Sequence, residues 1–441
     1  MRMLKVCKFG GSSLSDAKHF KQVKAIIEAD KDRKCVIVSA PGKGEGERDK
    51  ITDLLYLCFQ HNKYHVEFDS LFERVEQRYL TIKKELNIDY PIENDIKDIK
   101  DALKAGEMTE AKLVSRGEYL CAKLLSAYLG YSFLDAKDLI HFKFDGKVDE
   151  KKTNEDITKA FSKVEKAVIP GFYGSYPNGD ICLFSRGGSD VSASFFAEAL
   201  DAYLYENFTD VSGFYMADPR IIENPLKINE ISYDELRELS YAGAQVLHAE
   251  TIIPLMEKRI PLEVLNSNHP EEGGTFIKDK APGNNHLITG LTGKKGFIAL
   301  TFVKSREYDK LESIRMVLDV FARYKVPVEH IPTSIDSFSV IAEKSKLEER
   351  YFDLVADLKK LPEIVSLSED DDVALVAIVG SNMAKKSGVS GKILSVFGEE
   401  KINIKLIDQG REEINIIVGI SNSDFEKSLQ ALYNRFSEKI I

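Results

Sequence analysis

No apolar stretch of the 441-residue chain approaches the ~20 residues that a membrane span needs. The opening, MRMLKVCKFGG, has too short an apolar run for a secretory signal. Cysteine is sparse: Cys7, Cys35, Cys58, Cys121 and Cys182 are scattered and odd in number, with no CxxC pair or Cys/His cluster. That pattern argues against a structural zinc site and for buried free thiols in a reducing compartment. Surplus positive charge is also missing, with 61 basic against 71 acidic residues and a net charge of −10. A general nucleic-acid binder needs a concentrated basic face, so none is expected. The P-loop pattern GxxxxGK[ST] is absent as well. These absences point to a soluble, cytoplasmic protein that contacts neither nucleic acid nor membrane.

What is present is ordinary for a folded enzyme: 43% apolar and 30% charged residues. At roughly 100–200 residues per domain the chain holds two or three. Leu4 to Phe9 reads as a buried strand, followed by a glycine turn and a helix from Asp16 to Ala29. Cys35 to Val38 is a second continuous apolar strand, and residues 50 to 130 carry helical apolar spacing. Strand segments return at Ala167–Ile169, Ile181–Phe184 and Ala202–Tyr205, with a charged surface excursion near 143–156. Apolar strands alternating with helices predict an α/β fold with a mostly parallel sheet covered on both faces. A polar, turn-rich stretch near 278–290 marks a boundary, placing a catalytic domain over 1–285 and a second region over 291–441. The latter reads as two βαββαβ units, one near 305–370 and one near 372–441 together with the strand near 297–303. Its segments are helices at Leu311–Tyr324, Leu347–Lys360, Gly391–Phe397 and Asp424–Phe436, with strands at Ser339–Ile341, Val373–Val379, Ile402–Ile407 and Ile414–Gly419.

Three stretches carry chemistry. In Lys8-Phe9-Gly10-Gly11-Ser12-Ser13, glycines permit close backbone approach, the following helix presents N–H groups to an anion, and the lysine reaches the same anion. Alone, this is equally an ordinary tight turn with a surface lysine. In Ser185-Arg186-Gly187-Gly188-Ser189-Asp190 the glycines recur, Ser189 or Asp190 is placed to cap a helix, and Arg186 offers a planar fork to a carboxylate or phosphate. Two glycine loops at the carboxyl ends of strands suit a ligand site. The third stretch, Thr209-Asp210-Val211-Ser212-Gly213-Phe214-Tyr215-Met216-Ala217-Asp218-Pro219-Arg220, is dense in polar and turn-forming residues and could be a plain loop.

Taken in order, and with Arg116-Gly117-Glu118, Gly243-Ala244-Gln245-Val246-Leu247-His248 and Gln409-Gly410-Arg411-Glu412-Glu413-Ile414-Asn415-Ile416, these motifs resemble the aspartokinases. The resemblance covers essentially the full chain and implies an amino acid kinase fold followed by two ferredoxin-like ACT units. It implies ATP, with Mg²⁺, and L-aspartate as substrates, and 4-phospho-L-aspartate as product, in the first step toward lysine, methionine and threonine. By the same resemblance Lys8 contacts the transferring phosphoryl group, and Asp190 organises that lysine or the metal-bound phosphates. Glu118 and Arg186 hold the ammonium and α-carboxylate of aspartate, with Ser39, Thr52, Gly187, Gly188 and Ser189 completing the substrate site. Gly10, Gly11, Ser12, Thr209, Asp210, Tyr215, Arg220, Gln245 and Val246 fall on the nucleotide side, and no protein metal site is assigned. A carboxylate nucleophile, ionised at neutral pH with a reference pKa of about 3.9, needs no general base. His248, the only histidine within these motifs, is assigned a structural role.

The chain departs from the family pattern at Gln245, where lysine is usual, leaving Lys258 or Lys227 to supply the charge, and at Ala249, where proline is usual. The loop Pro41–Arg48 is longer than in many relatives and is read as a mobile lid. ACT units imply feedback by an amino-acid effector, lysine or threonine or both, and a homodimer or higher homo-oligomer formed through exposed sheet edges. Arg315 stands where lysine-sensitive relatives tend to carry glycine, which leaves the effector's identity open. With no dinucleotide domain after Ile441, a fusion to homoserine dehydrogenase is not expected. A different class of reading, a catalytically silent amino-acid sensor of the same fold, finds support in Gln245 alone.

Overall fold

The computed structural model describes residues 3–44, 46–185, 187–243, 247, 249–281 and 286–437. It forms two compact units whose chain segments interleave. The first comprises Met1–Phe214, Lys227–Tyr233 and Val246–Gly283; the second comprises Tyr215–Leu226, Asp234–Gln245 and Asn284–Ile441.

The first unit is built on an eight-stranded sheet in the order 230–232, 275–278, 262–266, 204–209, 5–9, 33–38, 167–170, 132–133. Only the 262–266/275–278 pair is antiparallel. Lys5–Phe9 lies near the middle, paired in parallel with Arg33–Val38 and Leu204–Thr209, so both of its faces are covered. Side chains alternate across the strand. Cys7 and Phe9 enter a large core with Val36, Val38, Leu54, Phe72, Tyr79 and Leu124 from the helices that fill 51–129. Lys8 faces the other way, toward the helix Gly188–Ala199. The first helix, Ala17–Glu28, starts where Asp16 accepts the His19 N–H at 3.0 Å, and it buries Phe20, Val23 and Ile27.

Several local expectations are corrected. Ile181–Leu183 pairs antiparallel with Tyr173–Ser175 in a separate two-stranded ribbon, not with the parallel sheet. The charged 143–156 region leads into a helix, Glu150–Phe161, whose Ile157 and Phe161 are buried. Leu347–Lys360 is two pieces, Lys344–Leu347 and Tyr351–Leu358, and the strand expected over 402–407 runs Leu406–Gln409.

The second unit carries a five-stranded antiparallel sheet in the order 337–343, 290–304, 364–379, 415–420, 406–409. The long strands Gly290–Lys304 and Ile364–Val379 run through both expected repeat units, which therefore share one sheet. Phe297–Val303 pairs with Ser337–Glu343 and with residues 364–373, not with the last segment of the chain. Helices 310–323 and 351–358 pack over the first half, and helices 389–399 and 425–436 over the second. Met216, Ala217 and Ile222 belong to that latter core, beside Ile288, Ile378 and Phe397. A sequential boundary misses this, because the segment's apolar residues are satisfied far along the chain.

A buried charge cluster ties the entry of the central strands together. Glu206, 1% exposed, accepts from Lys5 at 2.9 Å and from Arg33 at 2.6 and 3.0 Å, and Cys7 Sγ lies 3.3 Å away. Burial pushes the Glu206 carboxyl up, but Arg33 and Lys5 outweigh it and hold it below the ordinary range. Removing one member leaves buried charges unmatched, which typically costs about 3–5 kcal/mol. Glu206→Gln is therefore expected to lower the unfolding free energy of this unit by about 3 kcal/mol in urea titration. A loss well under 1 kcal/mol would mean that solvent screens the cluster.

Candidate active site

The Gly10–Gly11 turn, the Glu118 helix and the Asp190 helix come together, through the Ala40 turn, at the carboxyl end of the central strand. Lys8 is 8% exposed, and its Nζ lies 2.7 Å from Asp190 Oδ1. The Asn207 amide donates to the same Asp190 oxygen at 3.1 Å, and Asn207 stands directly beside Lys8 in the parallel register. Asp190 sits in the first turn of Gly188–Ala199, where the helix dipole favours a negative charge. Neither it nor Ser189 caps that helix: the cap position is Gly187, at φ +56°, a left-handed conformation that glycine adopts without penalty.

The glycines of the first turn do different work from that expected of a simple ligand cradle. A Cβ at Gly10 would approach Lys8 Nζ at 3.4 Å, so Gly10 does border the ammonium. A Cβ at Gly11 would lie 2.8 Å from the Ala40 carbonyl oxygen, so Gly11 is required by contact with the turn after the second strand. Gly42 N–H donates to Gly11 O at 2.8 Å and seals that contact.

The second turn supplies the other half of the site. Ser39 Oγ donates to Ser189 Oγ at 2.9 Å, joining this turn to the Asp190 helix. The Ala40 N–H donates to Glu118 Oε1 at 3.1 Å. Glu118 is 4% exposed, and its Oε2 has no hydrogen-bond partner among the described residues. Burial pushes its carboxyl up to about 8, and the Ala40 hydrogen bond offsets this only in part. Such a group is ready to accept a cation. Thr52 lies in the first turn of the helix Ile51–Lys63, next to Ile51, whose side chain borders Gly117.

Of the residues expected on the nucleotide side, Thr209 ends the strand Leu204–Thr209, its Oγ1 donating to Asp210 Oδ1 at 3.1 Å. Tyr215 and Arg220 fall in the second unit, and Arg220 is already engaged by Asp218 through a fork at 2.6–3.0 Å. Arg186, Gln245, Val246 and His248 lie outside the described residues. Of the two cations weighed against Gln245, Lys258 pairs with Asp201 at 3.6 Å, at the entry of the 204–209 strand and so at the wrong end of the sheet. Lys227 is held by the carbonyls of Glu272 and Gly273 at 3.0 and 2.8 Å.

Two further residues contact the Asp190 helix. Asn207 fixes Asp190, and its signal was a polar residue in a strand otherwise buried along LYENF. Phe172 holds φ +78°, unusual for a bulky residue, between Gly171 and the Ser189 helix; nothing in local sequence marks it.

Residues 3–266 match the amino acid kinase family, and residues 376–436 match the ACT domain. Over 449 aligned residues, 98% of each chain, the sequence is 32% identical to aspartokinase 3 of Bacillus subtilis. The chain belongs to the aspartokinases. Aspartate kinase of Clostridium acetobutylicum is 45% identical, with a TM-score of 0.94 over 98% of this chain and 100% of that one. Aspartokinase III of Escherichia coli, crystallised with lysine and aspartate, is 25% identical, with a TM-score of 0.78 over 99% and 100% of the two chains. As an aspartokinase the chain is a phosphotransferase that uses a nucleotide, and its ACT half is that of an allosterically regulated enzyme.

The raised Glu118 carboxyl has a thermodynamic consequence. Between about 4.5 and about 8 the folded state holds a proton that the unfolded chain has released, so stability falls as pH rises through that window. Glu118→Gln is expected to flatten this fall when urea unfolding is compared at pH 6 and pH 9. An unchanged slope would show that Glu118 ionises freely in the folded protein.

Proposed function

We propose that the enzyme transfers the γ-phosphoryl group of ATP to the side-chain carboxylate of L-aspartate, giving 4-phospho-L-aspartate and ADP. The observation that carries this reading is a buried ammonium, Lys8, aligned by Asp190, on a turn that touches the Ala40 turn holding a buried carboxyl with an unused oxygen, Glu118. The first suits a transferring phosphoryl group, the second an amino acid's ammonium.

Aspartate's α-ammonium binds Glu118 and draws its carboxyl into the ionised form, while Arg186 takes the α-carboxylate as a bidentate fork. Ser39, Thr52, Ser189 and the Gly187–Gly188 backbone orient the side chain. The β-carboxylate attacks already ionised, so no residue has to remove a proton. Lys8 neutralises charge on the phosphoryl oxygens as the bond to the leaving oxygen breaks, the electrostatic role phosphoryl transfer chiefly demands. Gly10, Gly11, Ser12, Thr209, Asp210, Tyr215, Arg220, Gln245 and Val246 serve the nucleotide.

Among the described residues no group of three His, Cys, Asp or Glu side chains could hold a metal ion. Mg²⁺ would enter with ATP, held by the substrate phosphates and its own waters, with Asp190 placed to organise Lys8 or the metal-bound phosphates. When bound it supplies further neutralisation of the phosphate charge.

The reading extends to a feedback-regulated first step toward lysine, methionine and threonine, with lysine, threonine or both as effector at the ACT units. The lysine held by the Escherichia coli relative supports that choice of effector. The edge strands Ser337–Glu343 and Leu406–Gln409 offer pairing surfaces for a homodimer or higher homo-oligomer. Five free, buried cysteines suit the cytoplasm, and no helix among the described residues is long and apolar enough to cross a membrane.

Hydroxylamine trapping of acyl phosphate, with ATP, Mg²⁺ and a panel of amino acids, is expected to give product with aspartate alone. Added lysine or threonine should suppress it. Lys8→Met should lower turnover by about 10²–10³-fold while calorimetry still detects aspartate binding. An active Lys8→Met enzyme, or a folded variant unable to bind aspartate, would overturn the assignment of Lys8.

A further inference from the structure

Helix Asp69–Leu86 lies outside every motif that carries the family resemblance, yet it sends a buried guanidinium to the active-site turns. The Arg78 side chain is 7% exposed. Its Nη1 donates to the Gly42 carbonyl at 2.9 Å and to the Ser15 carbonyl at 3.3 Å, and its Nη2 meets Glu47 Oε2 at 2.9 Å. Ser15 closes the turn that follows Lys8; Gly42 closes the turn that follows Ser39 and Ala40. One planar cation therefore bonds both turns at once, and its fork geometry sets their separation and angle.

We propose that Arg78 is a positioning residue for phosphoryl transfer, holding the Lys8 turn and the Ala40–Glu118 turn in the register that brings phosphoryl donor and carboxylate acceptor together. The inference rests on the site proposed above. The two turns touch through backbone alone: a Cβ on Gly42 would lie 2.8 Å from Gly11 C and O. Such a contact resists compression but not sliding, and the backbone bonds from Gly42 N–H to Gly11 O and from Ser39 N–H to Phe9 O do not reach Ser15. Arg78 supplies the missing directional restraint. A side chain needed only to fill space there could be apolar, which would avoid desolvating a charge.

The same helix face also governs the loop that follows. Four residues before Arg78, Arg74 Nη2 pairs with Asp49 Oδ2 at 2.7 Å. Arg78–Glu47 and Arg74–Asp49 thus tether residues 47–49 to one helix. On their outer side lies an open cavity of about 440 Å³ lined by Ser15, Asp16, Glu47, Gln77 and Arg78. Glu47 and both members of the Arg74–Asp49 pair are 39–41% exposed, so this tether is releasable while the carbonyl bonds of Arg78 stay buried.

The test compares Arg78→Met, Arg78→Lys and Glu47→Gln in the full-length enzyme, reading kcat by acyl-phosphate trapping and aspartate and ATP binding separately by calorimetry. Misplacing reacting groups by about 1 Å can cost about 10²-fold in rate. Arg78→Met should therefore lose about 10²-fold in kcat, with both dissociation constants moving less than about threefold. Arg78→Lys, which keeps the charge but not the fork, should recover only part of that loss. Glu47→Gln should speed tryptic cleavage at Lys43 or Arg48 and reduce kcat far less than Arg78→Met. Retained kcat in Arg78→Met, full recovery by lysine, or a parallel collapse of kcat, both affinities and Tm would each overturn the proposal. If Arg78→Met does not fold, Arg78→Lys decides: kcat equal to wild type refutes positioning by the fork. Activity in Lys8→Met would instead refute the underlying site, so the two failures are distinguishable.

Discussion

A lysine ammonium in the middle of a covered parallel sheet calls for a carboxylate beside it, and the Lys8–Asp190 pair is the constraint on which the active site depends. Lys8 stands on a strand flanked on both sides, so water cannot compensate its charge. Asp190 must approach from the covering helix, and that helix must begin at Gly188 for its first turn to face the strand. Asn207 must then hold Asp190 from the adjacent strand. Sheet register, helix start and ammonium position are one linked arrangement.

The same economy of charge recurs where the strand enters the sheet. Lys5, Arg33 and Glu206 neutralise one another there. Phe9 and Phe208 stack at 4.7 Å on the opposite face from Lys8, so the strand is anchored by apolar contact on one side and by a functional ion pair on the other. Glu118 is the deliberate exception. It is buried with one oxygen that has no partner among the described residues, a destabilising arrangement.

Regulation has a physical counterpart within the second unit. Met216, Ala217 and Ile222 are packed in the core of the second ACT half. Glu235 accepts from Thr289 Oγ1 and Ser381 N–H, both at 2.7 Å, and Asn415 bonds Glu238. Segments numbered within the kinase family match are thereby structural parts of the ACT unit.

The α/β class, the helical run from 51 to 129, the capped helix after Asp16 and the ACT-like repeat were legible in sequence, because apolar periodicity and capping are local. Lys8, Asp190, Ser39 and Glu118 were named through the ordered motifs that carry the family resemblance, and the structure brings their turns and helices together. The pairing partners were not. Which strand Ile181–Leu183 joins, why Gly11 must be glycine, that Arg78 reaches two turns, and that Met216 lies in the ACT core all depend on residues distant in sequence. Sequence determined which groups could do the chemistry. Tertiary structure decided which of them are desolvated together, and the properties that matter here, the Lys8 ion pair and the raised Glu118 carboxyl, arise from that desolvation.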